Sequence, residues 1–139
     1  MSTIERAIEI AARAHAGQVD QAGAPYILHP LRVMLAVGTP HERMTAVLHD
    51  VIEDTSLTLE DLRAEGFPGE VLDAIDALTK RRGENRLDAA RRAARNTIAR
   101  AVKLADVTDN MNLARIPNPS EKDYARLKEY HQVRALLQG

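Results

Sequence analysis

The stretch TPHERMTAVLHDVIED, residues 39–54, decides the reading of the fold. Thr39 stands three residues before Glu42, the spacing of a capping box, and Pro40 fits a first helical position, where a missing N–H costs nothing. Met44, Val47, Leu48 and Val51 then recur at three- and four-residue steps, the period of a helix with one buried face. The spacing predicts a helix from Thr39 to near Glu53. It closes on His49, Asp50, Glu53 and Asp54, four ionisable side chains beside an apolar stripe.

The same grammar extends in both directions. Ile4, Ile8, Ala11 and Ala12 predict a helix over residues 2–16, with Ser2 and Glu5 as its capping box and Gly17 as its stop. Residues 17–28, GQVDQAGAPYIL, show no sustained period and read as an ordered loop, long enough to suggest function. Pro30 predicts a helix running to about Val37 with His29 at its N-cap, ended by Gly38. Thr58 to Asp61 opens a short helix that Gly66 closes. Pro68 starts another, with Val71, Leu72, Ile75 and Leu78 as its stripe. Residues 80–86, KRRGENR, read as a mobile loop, followed by a helix to about Arg95. Asn96 and Thr97 mark a new cap. The helix after it runs from Ile98 past Met111 and buries Ile98, Ala101, Val102 and Ala105. Pro117, Asn118 and Pro119 end that region, and Ser120 caps a last helix with Tyr124, Leu127 and Val133 or Leu136 facing inward. No repeat, heptad run or strand emerges. The fold class is all-α, one compact domain over residues 1–139.

Composition narrows the function classes. At 139 residues the chain suits one domain. The absence of cysteine excludes disulfides, thiolate metal sites and thiol catalysis. A net charge of −1 and an aromatic content of 3% argue against a nucleic-acid binder. No apolar run is long enough for a membrane span, and charges among residues 1–20 do not fit a signal peptide. The expectation is a cytoplasmic protein whose partner is a small molecule rather than nucleic acid or membrane. No sequence feature specifies an oligomeric state.

Chemistry concentrates in three segments. On a helix, His49 lies one turn below Glu53 and Asp50 one turn below Asp54. These groups are either a solvated helix end or a metal site, and acids at a helix C-terminus oppose the macrodipole, so they call for outside compensation. His29 follows the long loop, as a cap or as a ligand. Lys103, Asp106 and Asn110 form one polar line on an apolar helix, as a salt bridge or as part of a site. Together His29, His49, Asp50 and Asp106 make a mixed nitrogen and oxygen donor set. It suits Mn²⁺, Fe²⁺ or Zn²⁺ and leaves coordination positions for water and a phosphate oxygen. His41 and His131 read as surface residues, and His15 as a helix cap with a possible supporting role.

The order of these residues, H…HD…D, resembles the signature of the HD phosphohydrolase superfamily. The surrounding text, HAGQ (15–18), GAPYILHPLRV (23–33), AVLHDVIEDT (46–55), LTK (78–80) and VKLADVTDNM (102–111), is similar to the hydrolase domain of the RelA/SpoT family. Its single-domain members, the small alarmone hydrolases, are most similar. The resemblance implies a helical HD-domain fold, one Mn²⁺ and removal of the 3′-pyrophosphate from (p)ppGpp, giving GDP or GTP and pyrophosphate. It makes His29, His49, Asp50 and Asp106 the metal ligands. It gives Glu53 and Asp54 the work on the attacking water and leaving group, and puts Tyr26, Lys103 and Asn110 against the nucleotide. The sequence departs from the family pattern in two places. Asp20 and Gln21 replace a basic pair, and Asp109 replaces a histidine before Asn110. The first departure keeps other substrates open, an adenine counterpart or another 3′-phosphorylated nucleotide, beside a non-catalytic nucleotide-binding module. It also predicts weakened guanine discrimination.

Overall fold

Nine α-helices and one 3₁₀ turn account for the regular structure of residues 2–139, the part described by the computed structural model. They are α1 (Ile4–Ala14), α2 (Leu28–Ala36), α3 (Pro40–Leu48), α4 (Val51–Asp54), α5 (Leu59–Ala64), α6 (Gly69–Leu78), α7 (Arg86–Ala93), α8 (Thr97–Asn110) and α9 (Glu121–Gln138), with the 3₁₀ turn at Leu113–Arg115. Among the described residues there is no strand, only an isolated antiparallel bridge between Val19 and Pro25.

The fold is organised around α3. Thr39 and Glu42 form the expected reciprocal cap with Pro40 inside the first turn. From Met44 to Leu48 every side chain is buried, so the second half of α3 is enclosed on all sides, and the helix packs against α1, α2, α6 and α8. Leu48 and Val51 join Ala7, Ile10, Leu62, Phe67, Val71 and Ile75 in the main core. A second cluster of Val33, Ala46 and Val102 joins α2, α3 and α8. Through that contact, three helices bring their polar residues to one place.

Several boundaries differ from the sequence reading. The helix expected to run from Thr39 to Glu53 breaks at His49 and Asp50 and resumes as α4. The reason is local. The Ala46 carbonyl accepts from the His49 N–H at 3.4 Å and from its ring Nδ1 at 2.5 Å, so it is taken from the amide that would continue the helix. His29 is not an N-cap. Turns from Pro25 and Tyr26 start α2 two residues earlier, which places His29 in the first turn with its ring free to face inward. Thr3, not Ser2, caps α1 by accepting from the Arg6 amide. Ala12 faces solvent, as does Tyr124 at 57% exposure, because α9 packs through Val133 and Leu137.

Residues 80–86, expected to form a mobile loop, are pinned. Glu84 receives a two-pronged bond from Arg92 (3.0 and 2.9 Å) and accepts from the Arg81 amide at 2.8 Å. Arg92 also donates to the carbonyls of Ala77 and Thr79. These contacts hold the Lys80 amide where it donates to Glu53.

Arg92 holds the Glu84 carboxyl down to about 2 from an ordinary 4.5. A depressed carboxyl contributes stability above its unfolded pKa and loses it as pH falls through the folded one, here a window from about 4.5 to about 2. Glu84→Gln should therefore flatten the loss of thermal midpoint across that window relative to wild type. Parallel curves for the two proteins would show that this ion pair does not hold the loop.

Candidate metal centre

All four residues of the donor set converge. Asp106 Oδ1 accepts from His29 Nε2 at 2.8 Å and lies 3.3 Å from His49 Nε2. Asp50 Oδ2 lies 3.1 Å from His49 Nε2 and 3.9 Å from His29 Nε2. Donor atoms of His29, His49 and Asp50 all fall within 4.8 Å of one another. The break in the α3–α4 run presents His49 and Asp50, the first turn of α2 presents His29, and the middle of α8 presents Asp106.

Each imidazole has its other nitrogen engaged behind it. His49 Nδ1 donates to Ala46 O, and His29 Nδ1 donates to Asp109 Oδ2 at 2.6 Å. Both Nε2 atoms therefore face the acids, the orientation in which histidines coordinate a metal. One buried carboxylate, Asp106, and one partly exposed at the cleft, Asp50, facing two oriented imidazoles form a donor set that fits a divalent cation.

The electrostatics are those of buried charges held by one another. Burial favours neutral His29, but its bonds to Asp106 and Asp109 outweigh burial and raise its pKa to about 9. His49 is raised likewise by Asp50 and Asp106 against burial. Burial would raise the Asp106 carboxyl, yet the Lys103 ammonium and the two imidazoles hold it well below the usual range. Asp50 is lowered against burial, chiefly by His49.

The remaining expected residues lie around this centre, on a cleft of about 560 Å³. Tyr26 donates its hydroxyl to Asp50 Oδ2 at 2.5 Å, Lys103 Nζ reaches Asp106 Oδ2 at 3.1 Å, and Asn110 Nδ2 reaches Asp106 Oδ1 at 3.4 Å. Glu53 and Asp54 line the cleft from α4. Burial, then the charges of Asp50 and Glu53, push the Asp54 carboxyl above its ordinary value. Asp20 lines the cleft too, yet its Oδ1 accepts from the amides of Ala22 and Ala24 and its Oδ2 lies 3.4 Å from Arg115. Asp20 is thus the staple of its own loop, while Gln21 is exposed beside it.

Sequence reasoning missed Gln18 and Arg115. Gln18 bonds the buried His15 ring at 2.9 Å and the Asp54 carbonyl at 3.3 Å. Through Gln18, His15 supports the end of α4, and its ring also packs at a tilt against Tyr26, 4.9 Å between centroids. Arg115 reaches the Asp109 carbonyl at 3.2 Å as well as Asp20. The signal for Arg115 was weak, one arginine in a stretch without period.

A family model described as HD domain matches residues 7–133. A probable GTP pyrophosphokinase of Mycobacterium leprae is 35% identical over 150 residues, covering 99% of this chain and 19% of that protein. The guanosine-3′,5′-bis(diphosphate) 3′-pyrophosphohydrolase of Haemophilus influenzae is 37% identical over 116 residues, covering 73% of this chain and 17% of that one. The chain thus spans about a fifth of the length of these curated relatives. A solved structure described as a metazoan ortholog of SpoT that hydrolyzes ppGpp superposes with a TM-score of 0.80, at 21% identity, over 99% of this chain and 85% of that one. At that identity the superposition establishes the helical fold.

A cation that binds only the folded chain raises its stability, by about 2.7 kcal/mol at a hundred times the dissociation constant. The thermal midpoint of the wild type should rise with added Mn²⁺, and those of His49→Ala and Asp106→Ala should not respond. An equal rise in both variants would remove these residues from the ligand set.

Proposed function

The chain belongs to the HD domain family, and on that premise we propose that it is a metal-dependent hydrolase removing the 3′-pyrophosphate of (p)ppGpp. The observation that carries the reading is the meeting of His29, His49, Asp50 and Asp106 on the floor of a cleft that Glu53 and Asp54 also line. The activity for which the matching Haemophilus influenzae relative is named supplies the substrate class. In this reading residues 1–139 act as one hydrolase domain in the cytoplasm. Among the described residues, no helix is long and apolar enough to cross a membrane.

His29, His49, Asp50 and Asp106 would hold one divalent ion, Mn²⁺ in our reading, with Fe²⁺ and Zn²⁺ compatible with the same donors. Such an ion neutralises phosphoryl charge and acidifies water at its open positions. The rest of the work falls to the chain. Tyr26, by donating to Asp50 Oδ2, holds one oxygen of that carboxylate in place. Lys103 keeps Asp106 ionised and brings a positive charge to the wall that the nucleotide phosphates would face. Asn110, one turn from Asp106, offers an amide to the ribose or phosphate.

Hydrolysis splits a P–O bond. Water gives its oxygen to phosphorus, loses a proton, and the departing oxygen gains one. Two carboxyls are available for those transfers. Asp54, pushed up by burial and neighbouring acids, holds a proton closer to neutral pH than an ordinary aspartate does, the property wanted of a general acid. Glu53 is fixed by the Lys80 amide and stands beside it as the base. Our reading of base choice follows from Asp20. Because that side chain is spent on its loop, it offers the nucleobase little, and guanine and adenine substrates should be separated weakly.

Glu53→Gln retains an oxygen for the Lys80 amide, so it should keep Mn²⁺ binding and lose turnover by ~10²-fold or more, the scale of one lost proton-transfer group. The assay is a panel of guanine and adenine nucleotides with Mn²⁺ and identification of products. Pyrophosphate with GDP or GTP supports the reading, and release of orthophosphate alone overturns it. Wild-type turnover in Glu53→Gln would reduce that residue to a tether for the loop.

A further inference from the structure

The two histidines of the candidate centre are oriented by different means. His49 gives its Nδ1 proton to the carbonyl of Ala46, an acceptor that the fold of α3 puts in place. His29 gives its Nδ1 proton to a side chain, Asp109 Oδ2 at 2.6 Å. A side-chain acceptor can rotate, so it orients a ring only if it is itself held.

Arg32 holds it. Its Nε donates to Asp109 Oδ1 at 2.7 Å and its Nη2 donates to Asp109 Oδ2 at 3.1 Å. This is the two-pronged arginine–carboxylate pairing, which fixes the carboxylate plane as well as its position. Arg115 closes the far side, 3.2 Å from the Asp109 carbonyl and 3.6 Å from Oδ2. The geometry has a simple origin in helix periodicity. His29 and Arg32 are three apart on α2, Asp106 and Asp109 are three apart on α8, and residues at that spacing share a face. Across the α2–α8 contact the two pairs meet in register. His29 touches both acids, through Nε2 to Asp106 and Nδ1 to Asp109, and Arg32 touches the outer one.

We infer that Asp109, braced by Arg32, is a positioning residue for the metal centre: when Nε2 gives up its proton to coordinate, Asp109 keeps the remaining proton of His29 on Nδ1 and the ring turned so that Nε2 faces Asp50 and Asp106. This rests on the ligand reading given above and adds to it the part of the site that sets ligand orientation. A carboxylate behind a coordinating imidazole also raises its basicity, and loss of such a partner typically costs 10–100-fold in metal affinity. Arg32 should matter less than Asp109, because without it the carboxylate is still present but free to rotate.

The test is Mn²⁺ affinity by titration calorimetry on wild type, Asp109→Asn and Arg32→Gln, each checked for helical content by circular dichroism. Asp109→Asn keeps the shape but offers the ring an amide that can present either end, so Mn²⁺ affinity should fall 10–100-fold. Arg32→Gln should give a smaller fall, and Arg32→Lys, a cation without the planar fork, should not restore wild-type affinity. If Asp109→Asn unfolds, Arg32→Gln decides alone. A second readout separates orientation from general loosening. In the Zn²⁺-loaded wild type, long-range proton–nitrogen NMR should show both rings protonated at Nδ1. In Arg32→Gln, the His29 signals should broaden or split while those of His49 stay unchanged. Affinities within twofold of wild type in both Asp109→Asn and Arg32→Gln would overturn the inference while leaving the ligand reading intact. Failure of wild type to bind Mn²⁺ or Zn²⁺ would overturn both.

Discussion

A carboxylate with 5% of its surface exposed, Asp106, ties the structure together. An isolated charge at that depth is prohibitively costly, so it persists only where cations and hydrogen bonds surround it. His29 comes from α2, His49 from the end of α3, and Lys103 from one turn earlier on α8. Three helices that also share apolar contacts are thereby locked in rotation and register. Slipping α2 by one residue would turn His29 away and leave Asp106 without its shortest partner. The apolar cluster of Val33, Ala46 and Val102 supplies the attraction between these helices. The charges select which of the possible packings is realised. Removing any one partner exposes the asymmetry of buried ion pairs, because the uncompensated charge costs more than the pair was worth.

Local regularity is given up for the site. An unbroken helix from Pro40 to Asp54 would satisfy the periodicity of Met44, Val47, Leu48 and Val51. Instead the chain breaks at His49, whose ring takes the carbonyl that helix continuation would use. The break turns Asp50 toward the His29 and His49 rings, and α4 then restarts with Val51 still buried in the main core. Helix hydrogen bonding is lost locally, while both the hydrophobic stripe and the convergence of donors are retained.

How much of this was legible in the sequence follows from the range of each interaction. The helical class, the cap at Thr39 and the apolar stripe of α3 are written in neighbours three and four apart, and the structure has them. The contact of His29 with Asp106 spans 77 positions, so its only sequence trace is a polar residue where an apolar face is expected. That trace, with the family likeness, was enough to collect the candidate donors. The break at His49 was hidden because it depends on a side chain outcompeting a backbone amide. The loop at residues 80–86 looked free because its anchor, Arg92, lies on the next helix and reads there as an ordinary solvent-facing arginine. Tyr124 looked buried because it stands three residues before Leu127 on the expected inward stripe, whereas the buried side chains of α9, Val133 and Leu137, lie in its second half.

The two departures from the family pattern look unrelated in the sequence, since Asp20 lies in a loop and Asp109 on a helix. In the fold they share a partner. The Arg115 guanidinium lies 3.4 Å from Asp20 Oδ2 and 3.6 Å from Asp109 Oδ2, with its Nη2 on the Asp109 carbonyl. Each acid therefore helps to place the cation that neutralises the other. Reverting position 20 alone to a basic residue would set it against Arg115 and strip the Ala22 and Ala24 amides of their acceptor. Reverting position 109 alone would leave Arg32 without its carboxylate. Residues joined through one network do not contribute additively, so the charge pattern of this rim works as a unit rather than as two independent substitutions. The rim and the metal centre are then one electrostatic system. The loop that would meet the nucleotide, the arginine turn after α8 and the ring of His29 are all held through Asp109.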